Sequence, residues 1–173
     1  LIRKSLYPAL HAAIERGCPM IAPCNGFQIA VQCGLLPGPG DNEPWPLDAA
    51  TPKIALAENI EAIFSDRWTS VEVPAETRCI WTKGLRFEGA GNVLPSAHGE
   101  GRLVATASVL DHIERTNCVA LRYGEGENFN GSDRRIAGIC DASGLVFGLM
   151  PHPERFTRWT QHPQWTRLPS AVR

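Results

Sequence analysis

The chain has six cysteines yet no C-x-x-C pair, and no histidine stands at a zinc-like spacing from any of them. That removes the usual zinc and dithiol signatures. What is left are free thiols, Cys18, Cys24, Cys33, Cys79, Cys118 and Cys140, as expected in a reducing compartment. Charge of one sign is also lacking, since 17 Lys plus Arg against 18 Asp plus Glu give a formal net charge of -1. The chain therefore offers no footprint for nucleic acid or for an acidic membrane surface. Its longest apolar runs, such as residues 145–150, fall well short of the roughly 20 residues that cross a bilayer, and no basic-then-apolar leader opens it. A soluble, cytoplasmic protein is expected. Repeats and low-complexity tracts are missing, and Gly38-Pro39-Gly40 and Gly124-Glu125-Gly126 are too incomplete to cradle phosphates. No cofactor site is expected on this chain.

What is present suits one core. The 173 residues, 43% hydrophobic and 20% charged, match a single domain over 1–173. The chain starts at Leu1 rather than Met and goes straight into a helical pattern over 1–16, with Leu6, Leu10, Ala13 and Ile14 at helical spacing and Gly17 as its stop. A fragment truncated at its N-terminus, and open to truncation at its C-terminus, is the expectation. Residues 19–23 then read as a short buried strand, Cys24 as the turn after it, and 27–33 as a helix. The Pro- and Gly-rich stretch 37–52 reads as a functional or mobile loop. Strands are expected at 53–57, 68–73, 92–97 and 118–123, with a helix at 106–115. Residues 136–140 and 145–150 flank Asp141-Ala142-Ser143-Gly144 as a hairpin. The sum is an α/β fold with a mixed sheet.

A cysteine in a sharp strand-to-helix turn is a nucleophile candidate, because the helix N-terminus favours thiolate and its free N–H groups can face an oxyanion. Cys24 occupies such a turn, although free Cys is also among the most buried residue types. The base is offered by His152-Pro153-Glu154. Flanking prolines extend the backbone, so that His152 and Glu154 face one side and the carboxylate can hold the imidazole. Both segments follow predicted strands, where ligands bind in open α/β sheets. His98-Gly99-Glu100-Gly101 reads as a loop whose glycines allow a ligand close to the backbone. Asp111, His112 and Glu114 read as the solvated face of a helix.

Taken together, Ala22-Pro23-Cys24-Asn25-Gly26-Phe27-Gln28, Leu35-Leu36-Pro37-Gly38, Ala97-His98-Gly99-Glu100-Gly101-Arg102 and Met150-Pro151-His152-Pro153-Glu154-Arg155 resemble the triad (class I) glutamine amidotransferases. Asn130-Gly131-Ser132, the run Ile136 to Asp141, and Arg67-Trp68 narrow the likeness to the glutaminase that serves phosphoribosylformylglycinamidine synthase in purine synthesis. The resemblance implies a flavodoxin-like, mixed, mainly parallel open sheet flanked by helices, here without its first strand-helix unit. It implies that Cys24 attacks the side-chain amide of L-glutamine, that His152 moves the protons and that Glu154 orients His152. Asn25 would donate to the oxyanion, and Gln28 and His98 would border the glutamine pocket. Ammonia would pass to a separate synthetase that uses ATP and magnesium. Two other readings are a docking module without activity and a cysteine hydrolase of another amide. Ala22-Pro23 stands where the family usually has glycine two residues before the nucleophile, which bears on how tight the elbow is.

Overall fold

The structure is a computed structural model and describes residues 2–86 and 92–167. Its elements are α1 (Ile2–Glu15), β1 (Met20–Pro23), α2 (Asn25–Gln32), β2 (Ile54–Glu58), β3 (Ser65–Glu72), β4 (Val93–His98), β5 (Glu100–Ala105), α3 (Ala107–Arg115), β6 (Val119–Tyr123), β7 (Ile136–Cys140) and β8 (Val146–Leu149). Six strands form one sheet in the order β1-β8-β7-β6-β3-β4, and β2 pairs with β5 in a second. No described helix is long and apolar enough to cross a membrane.

The open mixed sheet with flanking helices is as expected, but the balance of strand directions is not. Among the described strands only β1 and β8 run parallel, with Met20 opposite Val146 and Pro23 opposite Leu149. The other pairings are antiparallel. The reason lies in the connections. Parallel neighbours need a long crossover, whereas β7 and β8 are joined by a tight turn. In that turn the Asp141 carboxylate accepts from Ser143 N and Oγ and from Val146 N.

β5 was not legible in the sequence. His98-Gly99-Glu100-Gly101 reads as a loop, yet it is the end of one strand, a single bend at Gly99 and the start of the next. Leu103 is the buried side chain that seats β5. Because β4 lies in the large sheet and β5 in the small one, this bend is where the chain changes sheets.

α1 is anchored by Tyr7 at 3% exposure, with Leu10 and Ile14 packed against the core, while Leu6 is 42% exposed. The apolar stripe therefore runs 7, 10, 14 rather than 6, 10, 13, 14. Gly17, at φ 69°, ends the helix as expected, with backbone bonds from Gly17 to Ile14 and from Cys18 to Ala13. The stretch after α2 is irregular but pinned to α1. Arg3 donates to the Ala49 and Ala50 carbonyls, and the Tyr7 hydroxyl to that of Pro46.

The helix face carrying Asp111 and Glu114 is not simply solvated. Glu114 pairs with Arg122 and Arg134, and Asp111 with Arg134. Burial pushes the Glu114 carboxyl up, but the two guanidiniums outweigh it and hold it below the usual range.

Candidate active site

Pro23 ends β1, and α2 begins at Asn25, so Cys24 alone makes the junction. It adopts φ 48° and ψ -106°, a region that costs a non-glycine residue about 1–3 kcal/mol and persists only where the surroundings impose it. They do. Cys24 N donates to the Leu149 carbonyl of β8 at 2.7 Å, and Gln28 N closes the first helical turn on the Cys24 carbonyl at 3.1 Å. The departure at Ala22 is absorbed by Gly26, where a β-carbon would stand 3.3 Å from the Ala22 methyl. The missing side chain at Gly26 leaves room for the Ala22 methyl, and the elbow is tight. Gly148 on β8 seats the helix further down, since a β-carbon there would come 2.2 Å from Phe27 Cδ2 and 2.6 Å from Leu36 Cδ1.

The environment of the sulfur corrects one expectation. Burial pushes the Cys24 thiol up, the Asn25 N–H and the charge of Arg155 pull it down, and Glu154 pushes it up; the net shift is upward. The resting group is a thiol, and its Sγ lies 3.9 Å from the Ala97 carbonyl oxygen, to which it can donate. A base must remove the proton. Acidity does not single out Cys24 either. The neighbouring Cys140 thiol pulls Cys79 and Cys118 each down to about 7. Those three thiols are buried, however, and only Cys18 and Cys24 of the six are partly exposed.

The candidate base, His152, follows β8. After β8 the chain turns through Pro151 to a short 3-10 turn, Pro153–Arg155, and His152 N donates to the Pro95 carbonyl of β4 at 2.7 Å. This bond ties the His152 backbone to the strand whose Ala97 carbonyl meets the thiol. His152 Nδ1 lies 2.6 Å from Glu154 Oε1, with the imidazole 7% and the carboxylate 52% exposed. Nε2 is buried with no hydrogen bond among the described residues. Arg155 Nε, 3.9 Å from the same carboxylate oxygen, adds a positive charge at the rim.

The remaining predicted residues are placed as follows. Asn25 opens α2, and its N–H faces the Cys24 sulfur, where an oxyanion donor is needed. Gln28 Nε2 donates to the Glu100 carbonyl at 2.7 Å, which ties α2 to the Gly99 bend. His98 ends β4 and is buried, with its ring 5.3 Å from that of Phe129.

Asn59 had no reading in the sequence, and Asn130-Gly131-Ser132 had one only as a mark of the family. Asn59 is buried and bonds to both the ring and the carbonyl of His98. The Asn130-Gly131-Ser132 segment is a clip for the Gly99 bend. Asn130 Nδ2 donates to the Gly101 carbonyl at 2.9 Å and to Tyr123 Oη at 3.2 Å, and Ser132 Oγ accepts from Leu103 N at 3.0 Å. Arg67-Trp68 is likewise explained. The Arg67 guanidinium lies 5.0 Å from the Phe129 ring centre, and Trp68 meets Phe156 edge-on at 5.1 Å, bracing the segment after Glu154. Among the described residues no group of three or more His, Cys, Asp or Glu is placed to hold a metal.

A strained thiol at a helix start, a carboxylate-bound imidazole and a backbone donor can together perform acyl transfer through a thioester. Comparison with known proteins agrees in kind. A CobB/CobQ-like glutamine amidotransferase domain is matched over residues 1–171. The phosphoribosylformylglycinamidine synthase subunit PurQ of Dehalococcoides mccartyi is 37% identical over 169 residues, covering 95% of this chain and 62% of that protein. Its counterpart in Mycobacterium tuberculosis is 44% identical over 146 residues, covering 83% and 55%. A solved structure described as PurLQS from Thermotoga maritima is similar with a TM-score of 0.66 at 34% identity, covering 91% of this chain and 61% of that one. The chain thus spans 55% to 62% of the length of these relatives.

Proposed function

The chain belongs to the CobB/CobQ-like glutamine amidotransferase family, and from that premise we propose that it hydrolyses L-glutamine to glutamate and ammonia and passes the ammonia to an ATP- and magnesium-dependent synthetase that converts formylglycinamide ribonucleotide to formylglycinamidine ribonucleotide. The identity of the PurQ relatives supports the choice of acceptor reaction. The observation that carries the hydrolytic half is Cys24 at the elbow, in the same site as a buried imidazole whose Nδ1 is held by Glu154 and whose Nε2 is free of hydrogen bonds among the described residues.

The chemistry follows from that arrangement. His152 Nε2 takes the Cys24 proton as the sulfur attacks the amide carbon, and the oxyanion forms against the Asn25 N–H. The same proton then goes to the amide nitrogen, the C–N bond breaks, and ammonia leaves behind a thioester. Water gives a proton to His152, its oxygen adds to the thioester carbon, and the C–S bond breaks to release glutamate. The proton on His152 returns to sulfur, so one glutamine and one water give one glutamate and one ammonia.

The full-length chain assembled with its synthetase provides the test. Cys24→Ser abolishes glutamine-dependent synthesis and leaves synthesis from added ammonia intact. Loss of both activities, or survival of the glutamine-dependent one, overturns the proposal.

A further inference from the structure

The site contains a second imidazole, and its state is decided by Asn59, which follows β2 and is 4% exposed. Asn59 Nδ2 donates to the Ile63 and His98 carbonyls, each at 2.9 Å. Two carbonyl partners settle which end of the amide is nitrogen, because a flipped side chain would set oxygen against two oxygens. Asn59 Oδ1 therefore faces His98 Nδ1, at 3.1 Å, and as an acceptor it requires a proton on that nitrogen. In the neutral ring this leaves Nε2 with a bare lone pair.

The ring is neutral in the physiological range, since burial and the neighbouring His152 push it down to about 4. Its other edges are occupied. Phe129 lies against the face, and Gly101 closes on the Nδ1–Cε1 edge, where a β-carbon would come 2.5 Å from Nδ1. Nε2 is left buried and without a hydrogen bond among the described residues. The titratable groups around the ring are His152, Cys24 by way of the Ala97 carbonyl, and, across Phe129, Arg67 and Tyr123. Asp66 and Glu100, on adjoining backbone, are exposed.

On the footing of the glutaminase reading, we propose that Asn59 is a positioning residue that holds His98 as the neutral Nδ1–H imidazole, and that His98 Nε2 is the acceptor for an N–H of the glutamine side-chain amide and of the ammonia released from it. A buried, unpaired acceptor next to the base matches a substrate group with two donors. It also discriminates in a useful direction. Glutamate presents a carboxylate with no N–H, so the same lone pair that welcomes the substrate disfavours the product. A charged His98 would point a donor at the amide nitrogen and lose both effects.

The test compares Asn59→Asp and Asn59→Ala in the full-length chain assembled with its synthetase. Asp sets a carboxylate against Nδ1–H, stabilises the imidazolium and turns Nε2 into a donor. At pH 7 the Asp variant loses about 100-fold in glutamine-dependent kcat/KM, more than the Ala variant, and recovers towards it as pH rises and His98 deprotonates. Synthesis from added ammonia is unchanged in both. Losses that simply follow each variant's thermal stability, with no recovery at high pH, overturn the proposal. A second measurement does not depend on the variants folding. Histidine nitrogen NMR of the full-length wild-type chain shows His98 protonated on Nδ1 and bare on Nε2 from pH 5 to 8, and an Nε2–H tautomer refutes the role given to Asn59. Failure of the glutaminase reading shows elsewhere, as retention of glutamine-dependent activity in Cys24→Ser.

Discussion

Glu154 Oε1 stands 2.6 Å from Nδ1 of His152, while Nε2 across the same ring is buried and makes no hydrogen bond among the described residues. The carboxylate fixes the proton on Nδ1 and leaves Nε2 as the basic nitrogen. Glu154→Gln keeps the size of the side chain but lets the ring choose either tautomer. Glutamine-dependent kcat should fall by about 100-fold, at the lower end of what positioned bases contribute, because this carboxylate is half exposed. Steady-state kinetics with glutamine, and with ammonia as the control, check this. An unchanged kcat would mean that Glu154 does not orient His152.

The raised Cys24 thiol sets a pH dependence. Alkylation of the free enzyme, followed at Cys24 by peptide mass spectrometry, should accelerate with pH through an inflection above the usual thiol value of about 8.5, because burial outweighs the Asn25 N–H and Arg155. An inflection near neutrality would show a resting thiolate, and the proton transfer to His152 would then be unnecessary.

Gly148 links packing to the site. Gly148→Ala puts a methyl group where Phe27 Cδ2 already lies, 2.2 Å from the new β-carbon, and α2 must shift to admit it. Overpacking of this kind costs about 1–3 kcal/mol, to be read from the urea midpoint at constant slope. Because α2 begins immediately after Cys24, glutamine-dependent activity should fall as well, while Gly126→Ala, on open ground at φ 75°, should affect stability alone.

The ion pairs of Glu114 make a prediction on stability. Its folded-state pKa is lowered, so its contribution is present above the unfolded value of about 4.3 and is lost as pH falls through the folded value. Wild type should therefore exceed Glu114→Gln in stability at pH 7, and the gap should close below pH 4. Denaturant titrations at the two pH values measure it. A gap that persists in acid would assign it to packing.

Much of this was legible in the sequence, for identifiable reasons. The strand, cysteine and helix at 19–33 carry their own local signals, and prolines on both sides of His152 dictate the extended backbone that lets Glu154 reach the ring. Strand direction was not legible, because pairing depends on contacts between distant segments such as β3 and β6 rather than on any one of them. β5 was hidden by its glycine and by following β4 after a single residue. The resting state of Cys24 needed the structure too. A helix N-terminus argues for thiolate, and only the burial of the sulfur reverses that argument. Asn59 sits among ordinary turn residues, and its two acceptors and one donor are brought together by the fold from Ile63 and His98.

The most direct test of the account is to treat the full-length chain, assembled with its synthetase, with a glutamine-shaped electrophile and to locate the adduct by peptide mass spectrometry. The account predicts one stoichiometric label on Cys24, prevented by free glutamine, with the more acidic but buried Cys79 and Cys118 unmodified. A label elsewhere, or none on Cys24, would contradict it.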